Sequence, residues 1–534
     1  MMDNNILIVN LTRLGDIIQS IGLIKGLKKK YPSSQIHFLA MSSFSGILQN
    51  IDGIDEIISL DAAVLVDDIK NEFWCAFEEL TNKLEYLNSK KYDLIVNPIM
   101  SIQSSYLCAL INAKEKRGMI LNNEGEQSVK SDWSAYLLAN QHSLGDHSFN
   151  LVNIFAGVAN VSFDLETYSI MPKTKINVQT GANTIKVGFH VGASQSNKTW
   201  KIEYFKEVIL HLVQNPKYEL FLFGGYKETD VKDFFNDIKQ ANFHNWIGKF
   251  KLDELISAVS LMDMFVTNDT GPMHIAACVK VPIINLSLGP VSMWETGAYS
   301  DKTIALQANM DCHPCSFSYE CPHWNCHSTI KPEVVINLIE HHFSPAIRLN
   351  LRDNVLYWKA ITDIFGYIHW VPLQKRMIRE RELFFELKRL IWGITLNNQF
   401  EKQEQITEQY LEFLRLYYTF GNYQFNDIKR AIDNLHKYSL QISLLLKDIS
   451  KLSQNTKNNL DKIKTIWSNV VSLKNEMFNQ AKEYSVIYDL FLYLNFTESN
   501  LEAVGLTELS KDTIIVYNTL SQQLTLFKTV LNNF

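Results

Sequence analysis

Short apolar runs and helical-period segments take turns along the first two-thirds of the chain. Residues 6–10, Ile-Leu-Ile-Val-Asn, form a β-type run, and a turn holding Arg13-Leu14-Gly15-Asp16 follows. After the turn, Ile17, Ile21, Ile24 and Leu27 recur on one helical face. Residues 36–40 and 92–97 repeat the strand pattern. The series starts again near residue 180, with predicted strands at 185–191, 218–223, 264–267 and 281–286 and predicted helices at 202–214 and 252–260. Strands alternating with helices specify βαβ units and parallel sheets. Two consecutive halves of this kind predict two open sheets that face each other across a cleft, with ligands at the strands' C-terminal ends.

Beyond residue 350 the pattern changes. Apolar positions at Ile428, Ile432, Leu435, Tyr438, Ile442, Leu445 and Ile449, and again at Leu460, Ile463, Trp467, Val470, Leu473 and Met477, keep a helical period. They predict amphipathic helices packed as a bundle. The expected organisation is therefore an α/β domain at 1–170, a second at 171–345 and an all-α domain at 346–534. Packing or self-association is the plain role for the last, and docking of an acceptor or partner is the other.

Composition narrows the function. At 534 residues the chain exceeds one ordinary core. A net charge of −6 supplies no global basic field, so nucleic acid is not an expected partner. The N-terminus has no basic segment ahead of its short apolar run, and no stretch of about 18 apolar residues occurs. A cytoplasmic protein with at most peripheral membrane contact is expected. Four of the seven cysteines, Cys312, Cys315, Cys321 and Cys326, lie close together. An exported disulfide framework would spread them, so they read as a local site.

Three loops carry candidate chemistry, each directly after a predicted strand. In Thr267-Asn268-Asp269-Thr270-Gly271-Pro272-Met273-His274, Gly271 permits close backbone approach and Pro272 suits a first helical turn. A helix at 272–279 would aim free N–H groups and its positive end into the cleft, an anion site suited to a diphosphate. The plainer reading is a helix capped by Asp269 or Thr270. The second loop, Val191-Gly192-Ala193-Ser194-Gln195-Ser196-Asn197-Lys198-Thr199-Trp200, adds small residues and a lysine for a phosphate. In the third, Asp16 either caps its own helix or projects into the cleft as a base for an acceptor hydroxyl.

In this order and spacing the three loops resemble the heptosyltransferases, glycosyltransferase family 9. The resemblance covers residues 5–340 and is most specific at 268–274, where Asn-Asp-Thr-Gly-Pro-Met-His matches in full. His190-Val191-Gly192-Ala193-Ser194 and Lys198-Thr199-Trp200 match a second motif, and Arg13-Leu14-Gly15-Asp16 a third. The resemblance implies a GT-B fold of two Rossmann-like domains and transfer of a sugar, heptose from ADP-heptose, with inversion. It implies Asp16 as general base and Lys198 as the diphosphate anchor. Ser194, Thr270, Gly271 and His274 are implied to bind the donor, with Asp269 near its sugar, Glu228 at the ribose and Phe250 by the adenine. No catalytic metal is implied.

Members that modify autotransporter proteins carry an iron-binding cysteine cluster, which the more tightly spaced Cys312, Cys315, Cys321 and Cys326 resemble. Four thiolates suit structural zinc or iron, and His313, His323 or His327 could replace one. A Rossmann oxidoreductase is disfavoured, since the first strand-to-helix turn lacks Gly-x-Gly-x-x-Gly. The family's usual acceptor is the lipopolysaccharide core, and its usual members end near residue 345. The added helical region therefore points to a protein acceptor, such as a flagellin or autotransporter, or to a homo-oligomer. The rival readings are a non-catalytic scaffold and a transferase for another nucleotide sugar.

Overall fold

The computed structural model describes residues 5–61, 73–122, 124–142, 147–178, 181, 183–193, 195–226, 228–315, 321–503 and 505–534. These form two compact units, residues 1–116 with 149–374 and residues 117–148 with 375–534.

The first unit holds both α/β halves. In the first half, β1 (Asn5–Asn10), β2 (Gln35–Met41), β3 (Glu56–Leu60) and β4 (Tyr92–Asn97) are parallel in the order β3-β2-β1-β4, while β5 (Ala113–Leu121) runs out of this unit at Lys116 and its last residues pair antiparallel with β6 (Gln127–Val129) inside the second unit. Apolar residues on both faces of β1 are buried, as a strand covered by helices on two sides requires. The strand order turns around at β1 and β4, so the loop after β1 opens at a topological switch point.

In the second half, β7 (Ile185–His190), β8 (Tyr218–Phe223), β9 (Phe243–Asn245), β10 (Met264–Asn268), β11 (Ile283–Ser287), β12 (Thr303–Ala308), β13 (Val355–Thr362) and β14 (Ile368–Pro372) lie in the order β14-β13-β12-β11-β10-β7-β8-β9. Here β7 and β10 flank the switch point, and the two loops that follow them carry the Lys198 and Asp269 motifs.

Most predicted strands and helices recur within one to three residues. The all-α expectation for 346–534 needs correction. Residues 355–372 are an antiparallel hairpin added to the edge of the second sheet, because β13 pairs with β12 and β14 with β13. Its apolar positions, including Trp358, Val371 and Trp370, are buried. The domain boundaries shift accordingly, to 374, and the first domain gives up 117–148.

The second unit combines that inserted segment with six long helices, Glu380–Leu396, Gln403–Tyr417, Asn426–Leu452, Thr456–Lys482, Ser485–Ser499 and Leu506–Leu531. Both predicted amphipathic series fall on these helices. Polar bonds tie the insertion into the bundle. Arg389 donates to the Ser148 carbonyl, and Val129 N–H donates to Asn500 Oδ1 at 2.9 Å. The Tyr136 ring meets Trp392 edge-on at 5.1 Å. At its centre Lys388 pairs with the fully buried Asp489 at 3.2 Å. No described helix is long and apolar enough to cross a membrane.

Candidate functional site

β1 ends at Asn10, and the helix Leu14–Gln19 begins after a three-residue turn, which places Asp16 in its first turn. Asp16 is bonded within the start of its own helix. Its carboxyl accepts hydrogen bonds from Thr12 and from the Arg13 backbone, so it closes the start of its own helix. Burial nevertheless outweighs those bonds and the Arg13 charge, and it pushes the Asp16 carboxyl above the ordinary range.

This turn packs on the one that follows β10. A side chain at Gly271 would meet Leu14 at 2.7 Å, and one at Gly15 would lie 3.2 Å from the His274 ring. Only glycines let the two backbones come this close, so the switch points of the two sheets meet here.

The helix after β10 runs Gly271–Cys278 with Pro272 in its first turn. Thr270 occupies the N-cap position in an extended conformation (φ −152°, ψ 170°), yet no side chain caps the helix. Its hydroxyl lies instead 3.3 Å from His190 Nδ1. The capped-helix reading is thus set aside, and this helix start keeps N–H groups that no capping side chain takes. Asp269 also does not cap. It accepts from Thr296 Oγ1 at 3.0 Å. Burial pushes its carboxyl up to about 6, which Lys198 and the Thr296 bond partly offset and which Glu295 and Asp16 reinforce.

Lys198 sits in the short turn Ser196–Lys198 after β7, and its charge reaches both Asp269 and His274. Burial, helped by that charge, lowers His274 to about 4, so the imidazole is neutral at physiological pH. His274 Nδ1 has no hydrogen-bond partner among the described residues. Burial takes His190 down to about 4 as well. The Lys198 loop is fixed from below by Asn268, whose Oδ1 accepts from Trp200 N–H at 2.9 Å while its amide donates to the Val191 carbonyl at 3.1 Å.

Glu228 stands nearby. Its carboxylate accepts from Gly225 N–H at 2.7 Å and fills the space where side chains at Gly192 and Gly224 would be. Burial raises its carboxyl. Phe250 is half-buried, its ring 5.1 Å from Trp246 and 6.5 Å from Phe223. Asp16, Lys198, Asp269, Thr270, Gly271 and His274 thus gather at one place, with Glu228 beside the same loop and Phe250 on the aromatic edge of the second sheet. Ser194 lies outside the described residues.

Sequence reasoning missed Glu295 and Thr296, which act on Asp269 from the short helix Met293–Thr296. The available signal was positional, since this segment follows β11 and a third strand end was due to line the same cleft.

The cysteine expectation is not met by the described residues. Cys315 and Cys326 are half-buried thiols raised by burial and by the neighbouring cysteines. No group of three or more His, Cys, Asp or Glu is arranged to hold a metal ion among the described residues, and 316–320 fall outside them. Cys315 N–H instead donates to the Gly289 carbonyl at 3.2 Å, and His327 Nδ1 bonds the Thr199 carbonyl at 2.8 Å, so the loop braces the Lys198 turn.

Comparison with known proteins agrees with this geometry. Glycosyltransferase family 9 (heptosyltransferase) matches residues 82–327. A lipooligosaccharide heptosyltransferase 2 of Campylobacter jejuni is 30% identical over 165 residues, which cover 30% of this chain and 52% of that protein. The chain thus spans about half the length of the relatives first matched. A lipopolysaccharide heptosyltransferase 1 of Campylobacter coli is 27% identical over 301 residues, 53% of this chain and 83% of that protein. Among solved structures, Escherichia coli heptosyltransferase WaaC with ADP superposes with a TM-score of 0.49 at 16% identity, covering 63% of this chain and 99% of that one. The family match, to glycosyltransferase family 9 (heptosyltransferase) over residues 82–327, includes two of the three motifs, those at 190–200 and 268–274.

Proposed function

We propose that this protein is an inverting glycosyltransferase that moves a sugar from a nucleoside diphosphate donor, heptose from ADP-heptose, to an acceptor hydroxyl. The observation that carries this reading is the helix start at Gly271, free of any capping side chain, with Lys198 and neutral His274 beside it and Asp16 against it. Such a helix end binds a diphosphate through its N–H groups and its dipole.

In the reaction the acceptor oxygen attacks the anomeric carbon and its proton passes to Asp16. The bond from that carbon to the diphosphate breaks, and the leaving charge develops against the Gly271 helix end and Lys198, which offset it. The raised Asp16 carboxyl suits a base that must also release its proton. Thr270 and His274 add donors to the diphosphate. Glu228 would take the ribose hydroxyls, Phe250 would flank the adenine and Asp269 would meet the sugar.

The relatives named above are lipopolysaccharide and lipooligosaccharide heptosyltransferases, which supports a lipopolysaccharide-core acceptor. The additional helical unit supports a protein acceptor instead, and we favour it.

A melting-temperature panel with ADP, GDP, UDP and CDP tests the donor, since a ligand that binds only the native state raises the melting temperature. Stabilisation by ADP above the others is expected. Stabilisation by another base would replace the donor, and no response to any would overturn the proposal. Incubation with ADP-heptose and each acceptor class then decides the second half.

A further inference from the structure

The added hairpin β13–β14 reaches the site through a continuous set of contacts. Trp370, 1% exposed in β14, donates from Nε1 to the Met293 carbonyl at 2.9 Å. Its ring also packs where a side chain at Gly297 would be, 2.9 Å from Cζ2. In β13, Trp358 meets Trp294 edge-on with centroids 5.1 Å apart, while its own Nε1 donates to Gln307 Oε1 at 2.9 Å. From the other α/β half, Asn150 Nδ2 donates to the Gly297 carbonyl at 3.0 Å. The segment 293–297 is therefore clamped on both sides. It presents Thr296, whose hydroxyl donates to Asp269 Oδ2.

We propose that Trp370 and Thr296 are positioning residues: the hairpin fixes the segment 293–297 so that Thr296 holds the Asp269 carboxylate in the one orientation from which it meets the donor sugar. This rests on the transferase reading given above. A hydroxyl on a short helix holds a carboxylate only as well as the helix itself is held. Met293–Thr296 is a single turn, too short to be stable alone. The indole N–H, the glycine that admits the ring and the Asn150 amide supply that rigidity. Orientation at a reacting centre is costly to lose, because small displacements remove much of the advantage of a bound geometry.

The other charged groups acting on Asp269 are Lys198, Glu295 and Asp16. Since the Thr296 hydroxyl bonds the ionised carboxylate, its removal favours the protonated form. The variants are Trp370→Phe, which keeps an aromatic ring and removes the indole donor, Thr296→Val, which removes the hydroxyl, and Thr296→Ser, which restores it. Wild type and variants are assayed for heptose transfer across pH, with ADP affinity and melting temperature measured in parallel.

Trp370→Phe and Thr296→Val should each lower kcat about five- to tenfold, the scale of one lost hydrogen bond. ADP affinity should stay within about twofold, because Asp269 meets the sugar and not the nucleotide. The acid limb of kcat against pH should move to higher pH in Thr296→Val and return in Thr296→Ser. Unchanged kcat and pH profile in both Trp370→Phe and Thr296→Val would overturn the inference while leaving the transferase reading in place. If Trp370→Phe does not fold, the Thr296 pair decides alone. Absence of any transfer by wild type, with ADP bound, would overturn the inference together with the reading beneath it.

Discussion

Asp16 and Asp269 invite comparison, since each follows a strand that borders the switch point of its sheet. Asp16 is half-buried and Asp269 buried, and in both burial is the largest influence on the carboxyl. Their settings differ. Asp16 sits inside the first turn of its helix, and its bonds come from residues three and four positions before it. Asp269 precedes its helix and is held by Thr296, 27 residues further along, under the charge of Lys198. A locally held acid depends on little else, which suits a base that must gain and lose a proton. An acid held from a distant segment depends on the packing of that segment, which suits a group whose orientation matters more than its titration.

Substitutions should separate the two. The largest effect is expected for Asp16→Ala, with turnover falling about 10²–10⁴-fold as for loss of a general base. ADP affinity should remain near wild type, and equal turnover in a quenched-assay time course would remove Asp16 from its role. Lys198→Ala comes next. It should weaken ADP binding about tenfold or more, the scale of a charge-assisted hydrogen bond, which calorimetry would read. Because Lys198 holds the Asp269 carboxyl down, its loss should also push that carboxyl further up.

The pH dependence follows in size. Asp16 must be ionised to act, so kcat/KM should fall as pH drops through a value above the ordinary aspartate range. The smallest effect concerns stability. With Asp269 at about 6 when folded and near 3.8 when unfolded, the native state binds more protons between those values. Its contribution therefore favours the fold at low pH and is lost as pH rises from about 4 to 6. Asp269→Asn should remove that component, so the melting temperature should fall less between pH 5 and pH 7 than in wild type. An equal fall would mean that Asp269 is not the group responsible.

The sequence made the strand ends legible because buried parallel strands are short apolar runs with loops of unusual composition behind them. All the residues gathered at the site but Glu295 and Thr296 were named from those loops. What could not be read is instructive. Thr296 matters only through a hydroxyl that meets Asp269 in space, and nothing in the series Met293-Trp294-Glu295-Thr296 marks that meeting. The hairpin 355–372 was hidden by its place ahead of a long helical pattern. The Asp269 and Thr270 caps failed because both side chains found partners outside their own helix.

The discontinuous second unit has a consequence for synthesis. After residues 117–148, between Ser148 and Lys375, the start of the rest of their unit, 226 residues (149–374) must be made. At about 5–20 residues per second this is a wait on the order of ten seconds to a minute. Throughout it the apolar faces of Trp133, Tyr136 and Leu137 lack the helices that bury them in the finished unit. The nascent protein therefore carries a temporary adhesive surface while residues 149–374 are being made, and a chaperone that shields such surfaces would act on this segment before any other part of the helical unit exists.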